Sequence, residues 1–175
     1  MNMGLRAVVL TVLMHATPLF AADPQPTNNQ RIDELLRRVD TGVIGAEGRW
    51  RLVVGGRAVM VMSDPTHDRI RIMSHVTAAD ALDDELRLRL LQANFDTALD
   101  ARYAIAQDTL WSVFIHPLGS LSEHDFLAAM GQVVNLANTF GSSYSSGLLV
   151  FRGDDSESEL QREFIEELIR KGLAI

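Results

Sequence analysis

Between Arg49 and Val76 apolar side chains return at every second position in three successive runs, the period of a pleated strand. Gly55-Gly56 separates the first two runs. A two-residue hairpin loop tolerates positive φ at both positions and pairs Leu52 with Val59 and Trp50 with Val61. The loop from Ser63 to Asp68 then sets Val61 opposite Ile70 and Val59 opposite Ile72. One face of this three-strand unit is Trp50, Leu52, Val59, Val61, Ile70 and Ile72, all apolar, and a one-residue slip in either hairpin would scramble it. The other face is mixed: Arg49, Arg51, Val53, Ala58, Met60, Met62, Arg69, Arg71 and Met73.

A second unit runs from Ala101 to Gly141. Tyr103 and Ile105 alternate with Arg102, Ala104 and Ala106, and Leu110, Ser112, Phe114 and His116 alternate with Trp111, Val113 and Ile115. Gln107-Asp108 has the length of a tight turn between them, and Pro117 ends the second strand. The spacing predicts a helix starting at Ser122. That serine can cap the first turn, Asp125 can reach back to it, and Leu121 with Phe126 fits a hydrophobic staple. Phe126, Met130, Val133, Ala137 and Phe140 form the helix's apolar stripe, and Gly141 is a natural stop.

The remaining helices are shorter arguments. Ile32, Leu35, Leu36 and Val39 mark one helical face after the Pro/Asn-rich segment Asp23 to Gln30, with Gly42 and Gly45 beyond it. Leu82, Leu86, Leu90 and Ala93 mark a second, broadened by Leu88, Leu91 and Phe95 and opened by Asp80, Asp83, Asp84 and Glu85, the charge order that a helix dipole favours. After Gly141 come a Ser/Gly connector, an apolar run at Leu148–Arg152 of strand length, and a final helix whose apolar face is Leu160, Phe164, Ile165, Leu168 and Ile169. The predicted order is α-β-β-β-α-β-β-α with a C-terminal β/α extension. The expected class is α+β: an antiparallel sheet with the second and third helices packed on its all-apolar face.

Composition narrows the class of protein. The chain has 175 residues, 47% of them hydrophobic, enough for one sizeable core. Arg6 followed by the apolar run Ala7 to Met14 and by Ala21-Ala22 suits a secretory signal peptide, so residues 1–22 are expected to be a leader, 23–30 a linker, 31–141 the main domain and 142–175 an extension. A periplasmic or secreted protein follows, with no stable membrane insertion once the leader is removed. No cysteine is present, so neither disulfides nor a lipidated cysteine contributes. A net charge of −7 argues against nucleic acid as a partner.

Candidate chemistry is sparse. His116 and His124 flank one corner with Glu123 and Asp125 nearby, which makes a hydrolytic or metal-dependent centre the alternative reading. His67 and His75 stand apart from them, no HExxH or CxxC pattern occurs, and GSSYSSG lacks the strand and helix that flank a nucleophile elbow. No catalytic residue, metal ligand or cofactor is assigned. The mixed sheet face is the better candidate. Methionine adapts to varied ligands, and arginine and methionine are enriched at interfaces where lysine is depleted. Arg49, Arg51, Val53, Met60, Met62, Arg69, Arg71 and Met73 are therefore the expected partner-binding residues. The occupant would be a second copy of the chain, the C-terminal helix or a foreign polypeptide.

Leu90-Leu91-Gln92-Ala93-Asn94-Phe95, the strand Leu110 to Pro117 and the helix Ser122 to Phe140, in this order, carry a resemblance. The stretch from about Arg31 to Gly141 resembles the type III secretion chaperone-like fold, including the Tir-chaperone group and the YbjN-like "sensory transduction regulator" relatives. The resemblance implies a small, acidic, dimeric, non-enzymatic protein that binds other proteins, and it brings no catalytic residues. The exported leader and the C-terminal extension favour the YbjN-like branch.

Overall fold

A computed structural model describes residues 28–147 and 155–174. Its elements are α1 (Asn29–Val39), β1 (Ile44–Ala46), β2 (Arg49–Val54), β3 (Arg57–Asp64), β4 (Arg69–Ala78), a 3-10 turn (Ala79–Ala81), α2 (Asp84–Asp96), β5 (Arg102–Ala106), β6 (Thr109–His116), α3 (Glu123–Asn138) and α4 (Asp155–Leu173). The strands form one six-stranded sheet in the order β1-β2-β3-β4-β6-β5, antiparallel at every pairing. The fold is thus α+β, as its alternating runs predict. The leader, the linker up to residue 27 and the run Leu148–Arg152 lie outside the described residues.

The first hairpin has the predicted register, with Leu52 opposite Val59 and Trp50 opposite Val61. Gly55 and Gly56 both take positive φ, 55° and 76°, the geometry that matches the twist of a two-residue hairpin. The second hairpin corrects the expected pairing. Val61 lies opposite Ile72, not Ile70, and Val59 opposite Ser74, not Ile72. The loop is shorter than the polar run implies, because Asp64 belongs to β3 and pairs with Arg69. Its carboxylate accepts from the backbone N–H of His67 at 3.2 Å, closing the turn locally. The displacement is two residues, so every side chain keeps its face, and Trp50, Leu52, Val59, Val61, Ile70 and Ile72 are all buried.

Two helices cover that face, and they are not the expected pair. α3 lies over β4 and β6 and is buried from Phe126 to Ala137. α1, rather than α2, covers the β2 side: the Trp50 indole N–H donates to Asp33 at 2.9 Å, and Ile32, Leu35, Leu36 and Val39 are buried. Arg31 reaches across to Glu123 with Nη2–Oε2 at 2.8 Å, tying the first turns of α1 and α3 together. Ser122 caps α3 by accepting from the Asp125 N–H at 3.1 Å. Asp125 answers through the serine hydroxyl at 2.7 Å, since its side chain is a methylene shorter than the glutamate of a full capping box.

α2 stands at the β5 edge of the sheet. The Arg87 guanidinium donates to the Ala79 and Leu82 carbonyls, and Arg89 lies 4.8 Å over the Tyr144 ring. These anchors turn Leu90 and Ala93 inward and leave Leu88, Leu91 and Phe95 exposed, correcting their expected place on the apolar side. α4 packs on α3 and α1. Gly131 permits the approach: a Cβ there would stand 2.7 Å from Ile165 Cγ1. Ile165 and Leu168 are buried, whereas Leu160 faces solvent. β1 was not foreseen in the pattern, and it forms through the left-handed residues Glu47 and Gly48, which return the chain onto β2.

Candidate partner-binding surface

With α1, α3 and α4 all on one side of the sheet, no helix among the described residues lies on the opposite face. Its side chains stand in cross-strand rows set by the register. One row reads Ile44, Arg51, Met60, Met73, Val113, Arg102 from β1 to β5. The next reads Ala46, Arg49, Met62, Arg71, Ile115. Arg69 lies at the end of β4, and Val53 at the end of β2 pairs with Ala58. All eight residues expected to bind a partner are therefore brought onto one surface.

The rows show what periodicity alone could not place. β6 pairs with β4, so Trp111, Val113 and Ile115 join the same face, and β5 adds Arg102. The alternation within β6 was visible in the sequence, but its neighbour was not. Met60, Met62, Met73, Trp111 and Val113 are half-buried by one another, while Ile44, Val53 and Ile115 are 72%, 61% and 53% exposed. A shallow depression opens among Arg49, Met62, Arg69, Arg71 and Ile115. The result is an apolar band about two side chains wide, rimmed by charge.

That charge is mostly positive, with Asp64 opposite Arg69 as the acidic exception within the strands. Arg49, Arg51 and Arg71 make no ion pair or hydrogen bond among the described residues, and Arg69 and Arg102 bond only to backbone carbonyls. Glu47 in the β1–β2 turn and Asp64 at the tip of β3 line the same depression, and Asp64 holds His67 at 2.7 Å. His67 keeps that carboxyl below the usual carboxylate range. On a chain of net charge −7, five arginines have been segregated onto one surface.

The sheet's edges are less accessible to a partner. Asn94 at the end of α2 donates to the Tyr103 carbonyl at 3.1 Å and accepts from its N–H at 2.7 Å, standing in for a neighbouring strand along β5. Tyr103 is anchored on the other side, its hydroxyl donating to the Leu136 carbonyl at 2.6 Å, and burial pushes that hydroxyl well above the usual phenol range. The opposite edge, β1, is three residues long.

The histidine corner is loosely built. His116 Nδ1 lies 2.8 Å from its neighbour's carbonyl at Pro117, and its ring stacks on Phe114. His124 Nδ1 lies 3.3 Å from Asp125, whose carboxyl is lowered chiefly by the Ser122 hydroxyl. Among the described residues no three His, Asp or Glu side chains gather at a distance able to hold a metal ion. No described helix is long and apolar enough to cross a membrane.

No protein-family model matches the sequence, and no curated protein matches it. Among solved structures, a chain of the "Structure of the HopA1-SchA Chaperone-Effector Complex" superposes with a TM-score of 0.48 at 11% identity, covering 64% of this chain and 94% of that one. A likeness of that size says nothing of activity or partner.

Proposed function

We propose that this chain is an exported, non-enzymatic protein-binding module, chaperone-like or adaptor-like, whose helix-free sheet face receives a polypeptide. The observation that supports the reading is the apolar band Met60, Met62, Met73, Val113 and Ile115 lying open beside unpaired arginines. A sheet face ordinarily buries its apolar side chains against a second layer, and here the chain's described helices all lie elsewhere. Methionines give such a surface the freedom to re-pack around a partner.

Met60→Glu tests it. Met60 supports no helix packing, so the variant should keep its thermal midpoint to within about 2 °C, as surface substitutions do. Recovery of partner proteins from the exported fraction should fall at least tenfold relative to the parent. Unchanged recovery would return the face to an ordinary solvated surface, and unfolding would show that the monomer depends on it. Elemental analysis addresses the non-enzymatic part: a stoichiometric transition metal in purified protein would overturn it. Export has its own measurement. The mature protein should begin near Asp23, and a membrane-retained product keeping Met1 would replace the leader with an anchor.

A further inference from the structure

Resting on that reading, we infer that the partner presents an acidic amphipathic helix, its apolar stripe on the Met60, Met73 and Val113 row and its carboxylates on the flanking arginines.

The helical form follows from what the face lacks. Every strand from β2 to β6 except the edge β5 is paired on both sides, so the backbone donors and acceptors of the central sheet are consumed by the ladders. An extended segment laid there would find side chains but no backbone partners, whereas a helix satisfies its own. Extended partners add at sheet edges, and here Asn94 takes up the Tyr103 N–H and carbonyl at one edge while the other edge strand is three residues long.

The acidic character follows from charge. Arg51 and Arg102 close the two ends of the Met60, Met73, Val113 row. They stand four strand spacings apart, roughly 19 Å, which a helix of about thirteen residues spans at 1.5 Å per residue. Arg49 and Arg71 stand on either side of Met62 in the adjoining row, about 10 Å apart along the same direction, roughly two turns of that helix. Acidic residues at the two ends of the helix and two turns apart along one side of its apolar stripe thus each meet an arginine. Arg49, Arg51 and Arg71 make no ion pair or hydrogen bond among the described residues, and Arg102 gives only its Nη1 to the Ala98 and Ala101 carbonyls, so these guanidinium groups are ready for carboxylate pairing. Such a field also repels basic helices, so it selects as well as attracts.

The probes are two designed sixteen-residue helices with the same leucine stripe, one flanked by Glu and the other by Lys, titrated by fluorescence anisotropy against the full chain. The Glu-flanked peptide should bind at least tenfold tighter, and the advantage should shrink with added salt. Arg51→Glu/Arg71→Glu, both surface changes, should reverse the preference. Equal binding of the two peptides to the parent, or a preference untouched by the charge reversal, would overturn the inference. The outcome for Met60→Glu separates it from the broader reading. If that variant loses both peptides equally while the parent binds both equally, the face is a binding site and only its acidic selectivity is wrong. If Met60→Glu binds as the parent does, the face is not the site and both fall. A dimer by sedimentation that Met60→Glu dissociates would assign the face to a second copy and overturn the acidic-helix partner.

Discussion

Trp50 and Arg51 are chain neighbours on opposite faces of β2, and their contrast tests the whole layering. Trp50 is 2% exposed, sits in the core beneath α1, and donates its indole N–H to Asp33. Truncation to alanine removes the largest side chain of that cluster and leaves a cavity, a loss of about 3–5 kcal/mol. Taking about 4 kcal/mol, and 2–4 °C per kcal/mol for a domain of this size, the thermal midpoint should fall by roughly 8–16 °C. Trp50→Phe keeps most of the apolar contact and gives up the bond to Asp33, so about 1 kcal/mol should be lost. Arg51→Ala, on the helix-free face and without an internal partner, should stay within about 0.5 kcal/mol of the parent. Calorimetry or urea unfolding monitored by far-UV circular dichroism measures all three. A midpoint for Trp50→Ala within about 2 °C of the parent, or equal losses for Trp50→Ala and Arg51→Ala, would refute the assignment of faces.

Asn94→Ala should cost about 1–3 kcal/mol, because it strips the Tyr103 N–H and carbonyl of their partner, and should also promote concentration-dependent association along the bared β5 edge. A variant as stable and as monodisperse as the parent would show that Asn94 does not guard that edge. Acid should destabilise the fold through the carboxylates that the folded state holds below their ordinary range. Asp33 is lowered chiefly by Arg37, and Asp40 by the backbone N–H groups of Val53 and Gly42. A depressed folded pKa gives stability that is complete above the unfolded value of about 4 and lost as pH falls through the folded one. The thermal midpoint should therefore drop below about pH 4, and Asp40→Asn, weaker at neutral pH, should drop less; equal drops would clear Asp40 of the linkage.

The local elements were legible because each depends on short-range rules. Period-two alternation marked β2, β3, β4, β5 and β6, the Gly55-Gly56 pair set a register that holds, and Ser122 announced the start of α3. Face assignment survived even the two-residue error in the second hairpin, since an even shift leaves every side chain where it was. The same local rules could not say which strand lies beside which. That decision belongs to the tertiary structure, which pairs β6 with β4 and so adds Trp111, Val113 and Ile115 to the methionine and arginine face. The stripe Leu82, Leu86, Leu90 and Ala93 packs inward as its spacing implies, whereas the exposure of Leu88, Leu91 and Phe95 follows from the place of α2 at the sheet edge, held by Arg87 to the Ala79 and Leu82 carbonyls and by Arg89 to the Tyr144 ring. The absence of a side chain at Gly131 looks like a helix weakness in the sequence, and only the packing of Ile165 against it shows why it stands there. Alternation along one strand is a property of the chain, whereas a surface built from six strands exists only once all of them have found their neighbours.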